Sequence, residues 1–242
     1  MFSRLRRWPY RMLSGVAALL PSSCALCGSA QRGTLCDECR SQYFSAPRTR
    51  CRCCAIPLQA ADDGQTCGGC LKQPPAFDAT IVATDYTPPA DQLVLALKFG
   101  TRLELAPLLA RLLDAPARCG HAPAVLTAVP LGPQRLAERG FNQALEIAKP
   151  LSRSLGVPLE RELVVRQRDT QAQSLLHPDQ RRRNVRGAFM VPAKAMALVR
   201  GRHVGVVDDV MTTGETLNEL AATLKRFGAA SVTNFVFART LQ

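Results

Sequence analysis

Histidine, tryptophan and aromatic residues in general are scarce in this 242-residue chain, which has three histidines, one tryptophan and an aromatic share of 5%. His121, His177 and His203 occupy no catalytic spacing, so ordinary surface or core roles are expected of them rather than acid–base work. The shortage of aromatics argues against a platform on which successive bases stack. No stretch reaches the ~18 consecutive apolar residues that a transmembrane helix needs; the longest weakly apolar one is Met12 to Pro21. Acidic residues are missing from the first 23 positions, which hold four arginines. That arm superficially resembles a secretory signal. Pro21 and the cysteine pair beginning at Cys24 argue against export, because thiolate metal sites favour a reducing compartment. The expectation is a basic, amphipathic arm able to touch a membrane surface or a nucleic acid.

What is present is the balance of a soluble globular protein, with 47% apolar and 21% charged residues, and a length that suits one or two domains. Basic residues outnumber acidic ones by 31 to 19, a net charge of +12. Such an excess points to an anionic partner, whether nucleic acid, phosphorylated ligand or anionic membrane, unless it is only a general bias toward arginine.

Ten cysteines are present, and nine crowd between Cys24 and Cys70. Crowding into paired spacings suggests metal rather than a disulfide scaffold. Cys24-x2-Cys27 is followed after eight residues by Cys36-x2-Cys39, and Cys51-x2-Cys54 after twelve by Cys67-x2-Cys70. Each pair can turn two thiolates toward one ion, and two pairs complete a tetrahedral sulfur site. Two structural Zn²⁺ ions are the simplest account, with an iron–sulfur cluster as the minor alternative. Spacing leaves open whether the pairs close sequentially or cross over. Cys53 and Cys119 remain, as a spare thiol and a small core residue.

Composition divides the chain into a basic arm (1–23), a Cys-rich module (24–75) and a longer region (76–242). In the last, apolar periodicity predicts strands over 79–86, 124–129, 203–207 and 231–238, and helices over 89–98, 105–113, 142–155 and 215–227. Pro150 is expected to break or kink the helix that contains it. Apolar strands alternating with helices argue for a mostly parallel sheet covered on both faces.

The most informative segment runs His203-Val-Gly-Val-Val-Asp208-Asp209-Val210-Met211-Thr212-Thr213-Gly214-Glu215-Thr216. An apolar strand delivers two adjacent acids, then a loop of small and hydroxyl residues, then a helix. Gly214 permits the turn that lets N–H groups converge on an anion at the helix start. No lysine follows the glycine, so this is not a Walker-type nucleotide loop. Carboxylates beside a phosphate cradle suit the hydroxyls of a ribose phosphate and a divalent cation.

This segment resembles the phosphoribosyl-pyrophosphate motif of type I phosphoribosyltransferases. The whole chain resembles the ComF family (ComFC- and GntX-like proteins with a double zinc ribbon). The likeness rests on the Cys pairs, Leu97-Lys98-Phe99-Gly100, Arg139-Gly-Phe-Asn142-Gln, Arg168-x-Thr170-x-x-Gln173-Ser and Arg183-Asn-Val-x-Gly-Ala-Phe189, and covers residues 24–240. It implies an α/β fold, a phosphoribosyltransferase-like parallel sheet of five strands flanked by helices, beside a small N-terminal zinc-binding module. It implies that Asp208 and Asp209 contact the ribose hydroxyls and carry any catalysis. Residues 210–216 would cradle the 5′-phosphate. Pro130 and Leu131 would form a pyrophosphate turn, and a mobile loop containing Arg168, Thr170 and Gln173 would close over the site. Mg²⁺ would bridge pyrophosphate and sugar.

Arg139 suits paired hydrogen bonds to phosphate; Asn142 suits either a helix cap or a ligand contact. Lys98 suits either a helix C-terminal charge or a phosphate contact. The run Arg181-Arg182-Arg183 with Arg186 fits a solvated helical face as well as a nucleic-acid contact. Active transferases of this fold carry a recognisable acceptor pocket, and none is identifiable here. Two readings stay open. One is a protein linked to DNA uptake in transformation, coupling phosphoribosyl pyrophosphate to single-stranded DNA or to an uptake helicase or channel component. The other is an active transferase of unknown acceptor, or a non-catalytic sensor of the same ligand. A cytoplasmic protein with peripheral contact at the inner membrane through residues 1–23 is expected.

Overall fold

The computed structural model describes residues 22–45, 48–59, 66–167 and 187–241. Arg168, Thr170, Gln173, the arginine run at 181–186 and the arm up to residue 21 lie outside the described residues. The chain forms two compact units, Met1–Ser45 and Ala46–Gln242.

The described part of the first unit is a two-residue ribbon and one helix. Strand β1 (Ser22–Ser23) pairs antiparallel with β2 (Ala30–Gln31), and helix α1 spans Asp37–Phe44. Cys36 caps α1 through its side chain, which accepts from the Cys39 N–H at 3.4 Å. Asp37 and Glu38 in the first turn suit the positive end of the helix. Among its described residues the buried cluster is Cys24, Cys36 and Cys39, with Leu26 and Leu35 packed on it.

In the second unit, a short helix α2 (Gly68–Lys72) precedes β3 (Ala79–Asp85). Helices α3 (Ala90–Phe99) and α4 (Ala106–Arg118) lead to β4 (Val125–Ala128). Helices α5 (Pro133–Arg139) and α6 (Gln143–Leu155) follow. The two-residue strands β5 (Val165–Arg166) and β6 (Phe189–Met190) pair antiparallel, and α7 (Met196–Val199) comes next. The chain closes with β7 (His203–Met211), α8 (Glu215–Arg226) and β8 (Ser231–Arg239).

The main sheet is parallel throughout, in the order β3-β8-β7-β4. Every residue of β4 and all but the first of β8 are buried, as expected of strands covered on both faces. Among the described residues, the five-stranded core implied by the family resemblance is four strands plus one bridge. Leu126 and Leu159 pair in parallel beside β4, with Leu126 N–H to Pro158 O and Glu160 N–H to Leu126 O both at 2.8 Å. Pro158 brings no N–H of its own.

Two local expectations change. Helix α6 runs unbroken through Pro150. One missing helical hydrogen bond there costs about 3 kcal/mol. Burial of Ala144, Ile147, Ala148 and Leu151, all 1% exposed or less, offsets it. Cys119 is exposed at the C-cap of α4 rather than in the core. His203 has an ordinary role, with its Nε2 2.8 Å from Thr233 Oγ1 on the neighbouring strand.

Gly205 marks the tightest packing of the sheet. A Cβ there would lie 2.5 Å from Leu126 Cδ2, 2.9 Å from Phe235 Cε2 and 2.9 Å from Pro123 Cγ. Urea denaturation of Gly205→Ala is expected to show a loss of about 1–3 kcal/mol from overpacking; unchanged stability would mean the layer yields there.

Candidate functional site

The four sulfurs of Cys24, Cys27, Cys36 and Cys39 lie within 4.8 Å of one another, as do those of Cys51, Cys54, Cys67 and Cys70. The pairs therefore close sequentially. A tetrahedral zinc with bonds of about 2.3 Å places its sulfurs roughly 3.8 Å apart. Cys27 Sγ to Cys36 Sγ is 3.8 Å and Cys54 Sγ to Cys67 Sγ is 3.7 Å, so both tetrads fit structural Zn²⁺. The two knuckles share a backbone device. Gly28 and Ala55, each directly after a Cys-x-x-Cys pair, have positive φ (76° and 57°), and each N–H returns to the carbonyl of the pair's first cysteine (Cys24 at 3.0 Å, Cys51 at 2.9 Å).

Donors around the first sulfur of each tetrad favour thiolate. Burial pushes the Cys24 thiol up, but backbone N–H groups of Cys27, Cys36 and Leu26 outweigh it and lower it to about 6. Cys51 is likewise lowered to about 7, its burial outweighed by N–H groups of Cys54, Cys67 and Cys53. Burial and neighbouring cysteines push Cys39 up to about 12 and Cys54 up to about 11. Without a metal the tetrads cannot carry four charges; a divalent ion removes that conflict.

The second constellation lies at the carboxyl end of the sheet, where ligands bind in parallel α/β folds. An open cavity of about 780 Å³ is lined there by Lys98, Arg135, Arg139 and Arg166 on the cationic side. Asp208, Asp209 and Glu138 stand on the acidic side, with Thr212 and Thr216 from the loop. Strand β7 does not stop before the acids. Asp208, Val210 and Met211 pair with Val236, Ala238 and Arg239 of β8, so the acid pair is held by ladder hydrogen bonds. Asp209 is 3% exposed. Its N–H donates to Asp208 Oδ1 at 2.9 Å, and Lys98 Nζ lies 2.6 Å from Asp209 Oδ2. Burial first, and then the Asp209 charge, push the Asp208 carboxyl well above its usual range; Lys98 acts in the opposite sense.

Beyond Met211 the chain turns at Gly214, which caps α8 with φ 84°. Its α-carbon faces Met211 Cε, which an added Cβ would meet at 2.5 Å. Thr213 Oγ1 is buried in this loop with no hydrogen-bond partner. An orphaned hydroxyl beside a helix N-terminus fits an oxyanion ligand.

A phosphoribosyl transferase domain model matches residues 142–242, and a double zinc ribbon domain model matches residues 15–71. The chain is 37% identical over 231 residues to the DNA utilization protein YhgH of Escherichia coli (strain K12), covering 92% of this chain and 99% of that protein. It is 34% identical over 211 residues to competence protein F of Haemophilus influenzae, covering 85% and 90%.

The chain belongs to the ComF family.

Among solved structures, a glutamine phosphoribosylpyrophosphate amidotransferase from B. subtilis aligns with this ComF chain at 21% identity and a TM-score of 0.35. It covers 55% of this chain, which spans about 25% of that enzyme's length.

Of the ComF residues singled out by sequence, the cavity brings together Lys98, Leu131, Arg139, Asp208, Asp209, Val210, Thr212 and Thr216. Pro130, Asn142, Met211, Thr213, Gly214 and Glu215 are not among its lining. Met211 is buried. Asn142 caps α6, accepting from Ala144 N–H at 3.0 Å and Leu145 N–H at 3.4 Å, while its amide donates to Val129 O at 2.9 Å. It thereby ties α6 to the turn that follows β4. Arg139 donates to Gln143 Oε1 at 2.6 Å and stacks 5.4 Å from the Phe99 ring centroid. Arg166 stands 5.5 Å over the Phe189 ring.

Sequence reasoning did not single out Tyr86, Thr101, Arg135 and Glu138, which also line the cavity. Arg135 carried a usable signal, since it precedes Arg139 by one helical turn directly after the β4 turn. Tyr86 could have been found as the residue following the carboxyl end of β3.

Because the folded-state pKa of Asp208 is raised, the folded protein retains a proton that the unfolded chain releases. Stability of the ligand-free protein therefore falls as pH rises from the ordinary carboxylate range through the raised value. Asp208→Asn should melt above the wild type at about pH 7.5, with the difference shrinking toward about pH 5. A pH-independent difference in Tm would show that charge burial is not its cause.

Proposed function

We propose that this chain binds phosphoribosyl pyrophosphate with Mg²⁺ in the cavity at the end of β7 and serves in DNA utilisation, where it handles single-stranded DNA. One observation carries the ligand reading. The Asp208–Asp209 pair opens directly into the Thr212–Thr216 loop, inside a cavity that also holds Lys98, Arg135, Arg139 and Arg166. Carboxylates suit ribose hydroxyls, the loop suits a 5′-phosphate, and the cations suit a pyrophosphate.

In this reading Asp208 and Asp209 accept hydrogen bonds from the two ribose hydroxyls, and would carry catalysis were a transfer to follow. Residues 210–216 offer N–H groups and threonine hydroxyls to the 5′-phosphate. Lys98, Arg139 and the turn at Pro130 and Leu131 meet the pyrophosphate. Their hard oxygens make Asp208 and Asp209 the residues that would hold Mg²⁺ near the sugar, and the ion would supply neutralisation of pyrophosphate charge. The DNA role is supported by the names of the two relatives, DNA utilization protein and competence protein, and by the net charge of +12.

Calorimetric titration of phosphoribosyl pyrophosphate with Mg²⁺ into the zinc-loaded chain tests the ligand. Binding by the wild type, weakened about a hundredfold or more in Asp208→Asn/Asp209→Asn, is the expected result, since two charge-assisted hydrogen-bonding groups are lost. Absence of binding by the intact protein sinks the ligand reading.

The DNA role is tested separately by titrating a single-stranded oligonucleotide at two salt concentrations. The apparent association constant should fall steeply as salt rises. Binding that is absent, or indifferent to salt, counts against direct DNA handling.

A further inference from the structure

Arg239, the last residue of β8, is 1% exposed. Its guanidinium spans two places that lie far apart in sequence. Nε donates to the carbonyl of Cys54 at 3.0 Å, within the second zinc tetrad. Nη1 donates to the carbonyl of Met211 at 3.2 Å and to that of Thr212, the first residues of the anion loop. Nη1 also reaches Thr240 O at 2.9 Å and Thr240 Oγ1 at 3.2 Å.

A buried guanidinium needs countercharge. Among the described residues no carboxylate pairs with Arg239; the nearby Asp85 is held by Arg48 and Arg50. The group that Arg239 Nε does reach, the Cys54 carbonyl, belongs to the second cysteine tetrad. Four thiolates around one divalent ion leave two net negative charges. The loaded tetrad therefore supplies what this arginine lacks.

The other end of the bridge has a directional consequence. In a planar trans peptide, each N–H points opposite to the carbonyl of the residue before it. Drawing the Met211 and Thr212 carbonyls onto the guanidinium turns the Thr212 and Thr213 amides away from it. Those two amides belong to the loop that would hold a phosphate.

We propose that Arg239 is a positioning residue that couples occupancy of the second zinc tetrad to the affinity of the anion loop. With zinc in place, the guanidinium is neutralised and stationary and the loop is set for its ligand. When zinc leaves, the tetrad loses its fixed charge and geometry, and the loop amides lose their orientation. The inference rests on the phosphoribosyl-pyrophosphate reading of the cavity, and it adds a control by zinc that the reading itself does not contain. Linkage makes the effect reciprocal: ligand in the cavity must hold zinc in the tetrad by the same factor.

The test uses the full chain loaded with two zinc ions, phosphoribosyl pyrophosphate with Mg²⁺, and a zinc-selective chelator. Three quantities are read: the ligand Kd, amide exchange at Thr212 and Thr213, and zinc retained during chelator titration. Arg239→Lys keeps the charge but loses the fork of donors. It should weaken ligand binding about tenfold or more and speed exchange at Thr212 and Thr213. Cys70→Ser, which opens the second tetrad, should reproduce both effects. In the wild type, ligand should protect one zinc from the chelator, and Arg239→Lys should abolish that protection.

A folded, two-zinc Arg239→Lys protein with wild-type Kd and wild-type loop exchange overturns the proposal. If the variants do not fold, the wild-type chelator titration decides alone, and zinc loss unaffected by bound ligand refutes the coupling. If the wild type binds no phosphoribosyl pyrophosphate, the reading of the cavity fails. The coupling is then judged by whether chelation of the second zinc speeds exchange at Thr212 and Thr213.

Discussion

Pairing of β7 with β8 continues as far as Met211 and Arg239, and most of what the second unit presents to a ligand follows from that extra length. The ladder holds Asp208 and Asp209 as strand residues, both in the wall of one cavity. A strand that stopped at Val207 would leave both acids on a loop. Because the ladder persists, the turn at Gly214 must reverse the chain within a few residues to start α8 at Glu215. Loop amides and acid pair are thereby brought to one end of the sheet.

That end is electrically divided. Asp209 shares its carboxylate with Lys98, whereas Asp208 is pushed toward its neutral form by burial and by Asp209. Arg139 and Arg166 are steadied by the Phe99 and Phe189 rings and by Gln143 and the Pro130 carbonyl. Such preorganised cations lose little side-chain freedom when an anion arrives. The cost of placing two acids side by side is met by Lys98 at Asp209 and by the shift of Asp208 toward its neutral form.

The two ribbons use the same knuckle in different settings. Among its described residues the first buries its own cysteines and two leucines, and a metal held by its tetrad would supply folding energy. The second lies in the compact unit of the sheet. Ala55 and Cys54 join the core cluster that contains Phe77, Val82 and Met211. Arg52 O accepts from Thr80 N–H at 3.2 Å, and Arg50 bonds both Ala55 O at 3.0 Å and Asp85 at 2.7 Å. Its metal site stands against the strands that carry the candidate ligand site.

Short-range pattern determined much of this by itself. Cys-x-x-Cys spacing picked out the eight cysteines that gather into two tetrads, because each pair is local. Apolar runs located β3, β4, β7 and β8, because strands buried on both faces need no partner in view to be recognised. Acid pair, Thr-Thr-Gly and following helix marked the candidate phosphate site, because a strand, a turn and a helix cap are adjacent in the chain. Tertiary structure alone decided the rest. The extension of β7 to Met211 depends on β8 lying alongside. The passage of α6 through Pro150 depends on what its buried face packs against. The tie from Cys54 to Arg239 joins residues 185 positions apart. A guanidinium that takes its acceptors from Cys54 and from Met211 and Thr212 leaves no local pattern to read, since its contacts exist only once those segments are folded around it.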